Sequence, residues 1–203
     1  SIMMHINKKF LLSIAIVISF VRIETSANAD DIRDFEIEGI SIGDSALEFF
    51  SKEQLDNSSY SYSENDKYLT SYFFNVKFQI YDGVEVTYLK KDKKYLIAGL
   101  SGGIVVQNIN ECKKINKEIA ESLSSFFSEA QSLKDEGSTP VDDTGKSKYF
   151  RTSFKINPKS NYFEVESSCI FYYGEAANKF TSNAGISIKT DKLNDWLNFE
   201  AYN

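Results

Sequence analysis

Histidine is nearly absent from this chain. Its 203 residues hold one, His5, and both methionines, Met3 and Met4, lie beside it. All three fall in a stretch that reads as a signal peptide, residues 3–29. Lys8 and Lys9 give it a positive start, and Phe10 to Val21 is an uncharged apolar run. Ala27-Asn28-Ala29 forms an A-x-A cleavage site, followed at once by Asp30 and Asp31. The run is too short to span a bilayer, which needs about 20 apolar residues. Ser1 and Ile2 precede the start methionine and are set aside. The expected mature chain is Asp30–Asn203, periplasmic or secreted, with no membrane anchor after cleavage.

Without histidine, the mature chain offers no Ser-His-Asp or Cys-His arrangement. Histidine-ligated zinc, iron and copper are excluded, and two cysteines cannot make a Cys₄ site. No cofactor and no metal are expected. Ser-x-x-Lys does not occur; Thr87-x-x-Lys90 and Thr152-x-x-Lys155 have the spacing with threonine but sit in strand patterns. Gly145-Lys146-Ser147 looks like the end of a P-loop, yet Pro140 occupies the position where the motif needs glycine. Asp142-Asp143 lacks the regular oxygen spacing of a calcium loop.

Positive charge is also scarce. Losing Lys8, Lys9, Arg22 and Glu24 from 23 basic and 29 acidic residues leaves 20 and 28. That balance argues against nucleic acid or an anionic membrane surface as partner. It is equally the ordinary state of a soluble protein. Lysine outnumbers arginine 20 to 3, a bias that fits an AT-rich genome.

What remains predicts a single α+β domain over 30–203, mainly antiparallel sheet, with one long helix packed on a face and two shorter helices. A short strand is read at Phe35–Ile40. A helix follows from Asp44 or Ser45 to about Leu55, with Ser45 and Glu48 as a capping box. Residues 56–67 are a polar loop. Phe74, Val76, Phe78 and Ile80 alternate as a strand, Asp82-Gly83 is a hairpin signal, and Val84, Val86 and Tyr88 continue on the return strand. Lys90-Lys91-Asp92-Lys93-Lys94 makes the next turn, and Tyr95–Leu100 a third strand, with Gly99, Gly102 and Gly103 marking a bulge or close approach. The longest helix is read at 111–134, capped by Asn110, with Cys112, Ile115, Ile119, Leu123, Phe126, Ala130 and Leu133 on one stripe. Strands follow at 149–156, 163–171 and 184–189, and a last helix containing Trp196 starts at Asp191. Gly39-Ile40-Ser41-Ile42 is echoed by Gly185-Ile186-Ser187-Ile188, and more loosely by Gly99-Leu100-Ser101.

The two cysteines carry the sharpest expectation. An even count in an exported chain points to a disulfide. Cys112 lies on the apolar stripe of the long helix and Cys169 on the apolar face of its strand. A bridge would pin helix to sheet and close 57 positions, worth about 4 kcal/mol in the chain-entropy model.

Carboxylates are the conventional catalytic groups left in number. Glu164 and Glu166 share a strand face about 7 Å apart, near the spacing of paired acid/base chemistry. A solvent-facing strand explains them as well. Tyr60, Tyr62, Tyr149, Tyr162, Tyr172 and Trp196 are candidates for a binding surface, since each joins an apolar ring to a polar tip. The same residues also suit a core and its rim.

Asp34-Phe35-Glu36-Ile37-Glu38-Gly39-Ile40-Ser41-Ile42-Gly43-Asp44-Ser45-Ala46-Leu47, the cysteine near the start of the long helix, and Asn194-Asp195-Trp196-Leu197-x-x-Glu200-Ala201-Tyr202 resemble a family of small exported proteins of AT-rich marine alphaproteobacteria. That family has no assigned activity, so the resemblance implies export and no catalytic residues. The leading expectation is a non-enzymatic periplasmic binding or interaction module for a protein, peptide or sugar. The alternatives are a carboxylate-dependent hydrolase acting on envelope polymers or glycans, and a structural envelope protein.

Overall fold

The computed structural model describes residues 35–61, 67–74, 78–156 and 163–201. The leader with Ala27 and Ala29, together with Tyr62, Tyr162 and the Asn157-Pro158 turn, lies outside the described residues. The class is α+β, mainly sheet. A hairpin of β1 (Glu36–Ile37) and β2 (Ile40–Ser41) precedes a 3₁₀ turn at Ala46–Glu48 and helix α1 (Lys52–Asn57). Strands β3 (Ser59–Tyr60), β4 (Tyr68–Phe73), β5 (Gly83–Leu89) and β6 (Ile97–Val105) come next. Helix α2 (Ile109–Phe126) leads to β7 (Gln131–Ser138), β8 (Lys148–Ile156) and β9 (Phe163–Phe171). Helix α3 (Gly174–Lys179), β10 (Asn183–Thr190) and α4 (Asp191–Phe199) complete the described chain.

Eight strands form one antiparallel sheet in the order β3-β4-β5-β6-β10-β9-β8-β7. The chain therefore builds one half from β3 inward to β6, crosses along α2 to the far edge, and walks back inward. Strand β10 then enters last, between the two halves.

One face of the sheet is covered. On the β4–β6 side the N-terminal segment packs down: Phe50 stacks on Phe73 with ring centres 3.7 Å apart, and Leu55, Ile37 and Ile40 are buried there. On the β8–β10 side α2 lies across the strands. Its Cys112 is bonded to Cys169 of β9, with Cα atoms 5.4 Å apart. One turn on, buried Asn116 accepts a hydrogen bond from the Ser167 hydroxyl at 2.8 Å and donates to the Phe150 carbonyl. Burial with those partners satisfies an amide that would otherwise weaken the apolar stripe.

The opposite face is covered mainly at one end, by α4. Thr190 caps that helix, and its buried residues Leu193 and Trp196 sit against Tyr68 and Ala98. Trp196 is fully buried, 5.1 Å from the Tyr68 ring. It belongs to this small core and not to a binding surface.

Several expected elements are redrawn. The long helix stops at Phe126 and not at 134. Ser122 and Ser125 bond back to the Glu118 and Glu121 carbonyls, which weakens a helix, and Phe127 turns into the core, its N–H on the Leu123 carbonyl. Residues 131–138 then pair with β8 over their full length, which leaves Leu133 exposed. The cap is Asn108, whose side chain accepts the Glu111 N–H, in place of Asn110. The 45–55 helix splits, because Ser51 and Gln54 form their own capping box after the 3₁₀ turn that Ser45 caps. No two-residue hairpin forms at Asp82-Gly83, since Phe73 already pairs with Val84. The Glu38 carboxylate accepts the N–H groups of Gln79, Ile80 and Tyr81, taking the donors that a strand would need. Residues 75–77 of that expected strand lie outside the described residues. Helix α3 was not expected, so the short α-helices number three among the described residues.

The glycine reading gains a physical basis. Ala98 is the extra residue of a bulge opposite Thr87 and Tyr88. The Gly185 and Gly99–Gly103 echoes are antiparallel neighbours, with Ser187 opposite Ser101 and Gly185 opposite Gly103. A Cβ on Gly185 would collide with the Gly102 carbonyl, whereas one on Gly103 would meet nothing nearer than Asn183 Oδ1 at 3.7 Å. Gly185→Ala is therefore expected to lose about 3 kcal/mol in urea unfolding while Gly103→Ala stays near wild type; equal losses would refute the close approach. Replacing both Cys112 and Cys169 by alanine is expected to lose about 4 kcal/mol, matched by wild type unfolded in dithiothreitol.

Candidate functional site

Strand alternation decides what the open face carries. The apolar members Val84, Val86, Leu100, Ile186, Ile188 and Val165 all point to the covered side. Their neighbours form registered rows on the other. One row runs Tyr72, Glu85, Ser101, Ser187, Glu166, Ser153 from β4 to β8. Beside it runs Gly83, Gly103, Gly185, Ser168, Arg151 from β5 to β8. In these two rows the central strands β6 and β10 present only serine and glycine, and larger side chains stand on either flank.

Burial on this face falls with distance from α4. Along β4, Tyr68 and Thr70 are buried, Tyr72 is 41% exposed and Phe74, just past the strand, 66%. Leu193 of α4 fills the space above Gly99, and the Thr70 and Thr87 hydroxyls meet at 2.8 Å beneath the helix end. Beyond that point Gly83 and Gly185 are buried and the other row members are half-buried or exposed.

The two flanks differ in charge. On the β8–β10 side, Glu164 lies 3.6 Å from Lys189 Nζ and accepts from Asn194 Nδ2 of α4. Glu166 accepts the Ser153 hydroxyl; burial holds its carboxyl above the ordinary range, Lys189 and Arg151 pull it down, and Glu164 adds repulsion. Arg151 pairs with Asp135 at 3.4 Å and stacks over the Tyr149 ring at 4.2 Å. On the β3–β5 side, Glu85 has one hydrogen-bond partner among the described residues, the Tyr60 hydroxyl at 3.2 Å. Burial pushes its carboxyl up, and Tyr60 offsets part of the rise. No lysine or arginine of the described residues pairs with it.

The expected site residues are only partly brought together. Tyr60, Tyr149 and Tyr172 are on or beside the open face, but Tyr60 and Tyr149 stand six strands apart, about 29 Å. Tyr172 stacks on Phe180. Cys112 and Cys169 are buried in the core. Ser147, from the P-loop look-alike, is buried, with its hydroxyl on the Tyr173 N–H. Asp142 accepts from Ser147 and Thr144, which hold its carboxyl well below the usual range and use it to shape its own loop. Among the described residues no group of three or more His, Cys, Asp or Glu side chains could hold a metal. Sequence reasoning passed over Tyr72, Glu85, Ser101 and Ser187. The signal for the two serines lay in the register of the echo: the paired Gly-x-Ser segments mark β6 and β10 with small outward residues.

A carboxyl whose pKa is raised by folding binds its proton more readily in the folded state. The resulting penalty is present at neutral pH and is relieved as pH falls toward the ordinary value of 4.5. Glu85→Gln is therefore expected to be more stable than wild type at pH 7.5, with the difference shrinking toward pH 4.5, read by urea unfolding at both pH values. No protein-family model matches this chain, and neither the curated proteins nor the solved structures contain a match.

Proposed function

We propose that this is an exported, non-enzymatic binding protein that receives its ligand on the open sheet face. The observation that carries the reading is the contrast between the faces. One is sealed by α2 and the N-terminal segment, while the other leaves a Ser/Gly floor between Glu85 and Glu166 covered at one end only. Small side chains at mid-sheet with larger ones on both flanks make room for a ligand without opening the core. Export is supported by the apolar leader ending in Ala27-Asn28-Ala29 and by the buried Cys112–Cys169 bond, which persists in an oxidising compartment. Among the described residues no helix is long and apolar enough to cross a membrane.

Hydrolysis by paired acids fits less well. Glu164 is already taken by Lys189 and Asn194 at the α4 end. Glu85 and Glu166 are three strands apart, about 14 Å, beyond the roughly 9.5 Å that an inverting pair spans.

The test is a thermal-shift panel of envelope glycans, peptides and small organic ions on disulfide-intact protein. A binder is expected to raise the melting temperature of wild type and of Lys117→Tyr, on the exposed side of α2, but not of Ser187→Tyr. A ligand bound equally by Ser187→Tyr, or turnover of any panel member, would overturn the reading.

A further inference from the structure

The corner of the open face around Glu85 is built differently from the rest. Its carboxylate stands opposite Tyr72 on one side and the Ser101 position on the other. Tyr60 reaches over β4 from the sheet edge to hydrogen-bond Glu85 Oε1. The Tyr72 ring lies along the sheet over Gly83, its hydroxyl 2.5 Å from where a Cβ would stand. That space exists only because residue 83 is glycine. Phe74 meets Tyr72 edge-on, with centroids 6.2 Å apart. All three rings are well exposed.

Among the described residues, Arg151 and Lys189 lie on the other flank, around Glu164, Glu166 and Asp135, and Lys67 is held by Glu200 at the α4 end. Among the described residues, Glu85 is thus a half-buried carboxylate with a single hydroxyl partner and no counter-ion, flanked by exposed aromatic groups. Burial without a cation is costly, so a bound cation would gain from the site. Aromatic rings attract organic cations through their faces, and a carboxylate supplies the opposite charge. A hard metal ion is a poor fit, because calcium takes six or more oxygens and magnesium demands octahedral geometry. A neutral sugar would leave the carboxylate without its partner.

We propose that Glu85, Tyr60, Tyr72 and Phe74 form a binding site for an organic ammonium group, with Glu85 as its counter-charge and the rings as its walls. The proposal rests on the open face being the ligand surface and names the chemistry it selects at one corner.

The test is an amide-resolved NMR titration of the disulfide-intact protein with choline chloride. The comparisons are 3,3-dimethylbutan-1-ol, its neutral isostere, sodium chloride at matched ionic strength, and n-butylammonium chloride. Choline is expected to give saturable shifts centred on Tyr60, Tyr72, Glu85 and Ser101, and the neutral isostere none. Glu85→Gln, which keeps the side-chain shape, should weaken binding about tenfold or more, and Tyr72→Leu should weaken it as well. Equal binding of n-butylammonium would place primary amines in the same site; its failure would assign the site to methylated ammonium. No saturable shift, equal shifts with the isostere, or binding indifferent to Glu85→Gln would each overturn the proposal. The two readings fail separately. Ammonium binding lost in Ser187→Tyr but kept in Glu85→Gln sinks the assignment to Glu85 and leaves the open face standing; ammonium binding untouched by either variant sinks both.

Discussion

The insertion of β10 between β6 and β9 is the constraint on which this structure depends. Among the described residues, the two halves of the sheet are built by strands that do not pair with each other directly. Strand β10 joins them through seven registered positions with β6 and eight with β9, so losing it would divide the sheet in two. The join is made close by Gly185 against the Gly102 carbonyl. Ile186 and Ile188 of the same strand enter the main core, and Ala184 packs beside the Cys112–Cys169 bond. Its last residue, Thr190, caps α4. One eight-residue strand thus carries the sheet's continuity, part of its core and the start of the helix that closes one end of the open face.

Alternation then couples core and surface. A strand that sends Ile186 and Ile188 inward must send Gly185, Ser187 and Lys189 outward. Because β6 sends out Gly99, Ser101 and Gly103 in register, the middle of the open face is low. The flanks are higher, and they differ: cations accompany the acids on β8–β10, while the described partner of Glu85 on β5 is tyrosine. The disulfide and Asn116–Ser167 hold α2 on the other side, so the covered face cannot serve as the exposed surface.

The strands from 149 to 190 were legible in the sequence because their apolar and polar residues alternate without interruption, as in Phe163-Glu164-Val165-Glu166. The disulfide was legible because both cysteines fell on apolar positions of their elements. The chain between 74 and 82 was not. Its alternation copies a strand, but Glu38, some forty residues earlier, takes its N–H groups. The end of the long helix was also hidden. Ala130 and Leu133 keep the helical spacing, and only pairing with β8 turns their segment into an edge strand. Of the aromatic candidates, Trp196 was misplaced because local sequence cannot say whether an aromatic on an amphipathic helix faces a core or a groove.

What the sequence determined by itself is the inventory and the local periods: a single histidine in 203 residues, two cysteines placed to meet, alternating strands, and capped helices. These follow from side-chain chemistry and from periods of 2 and 3.6 residues, which need no knowledge of distant partners. Only the tertiary structure decided which strands are neighbours, that the two Gly-x-Ser echoes lie side by side, and that Glu85 stands among tyrosines with no cation among the described residues. Those facts depend on contacts between residues up to about a hundred positions apart, and long-range pairing is set by the total free energy of the packed chain and not by any local signal.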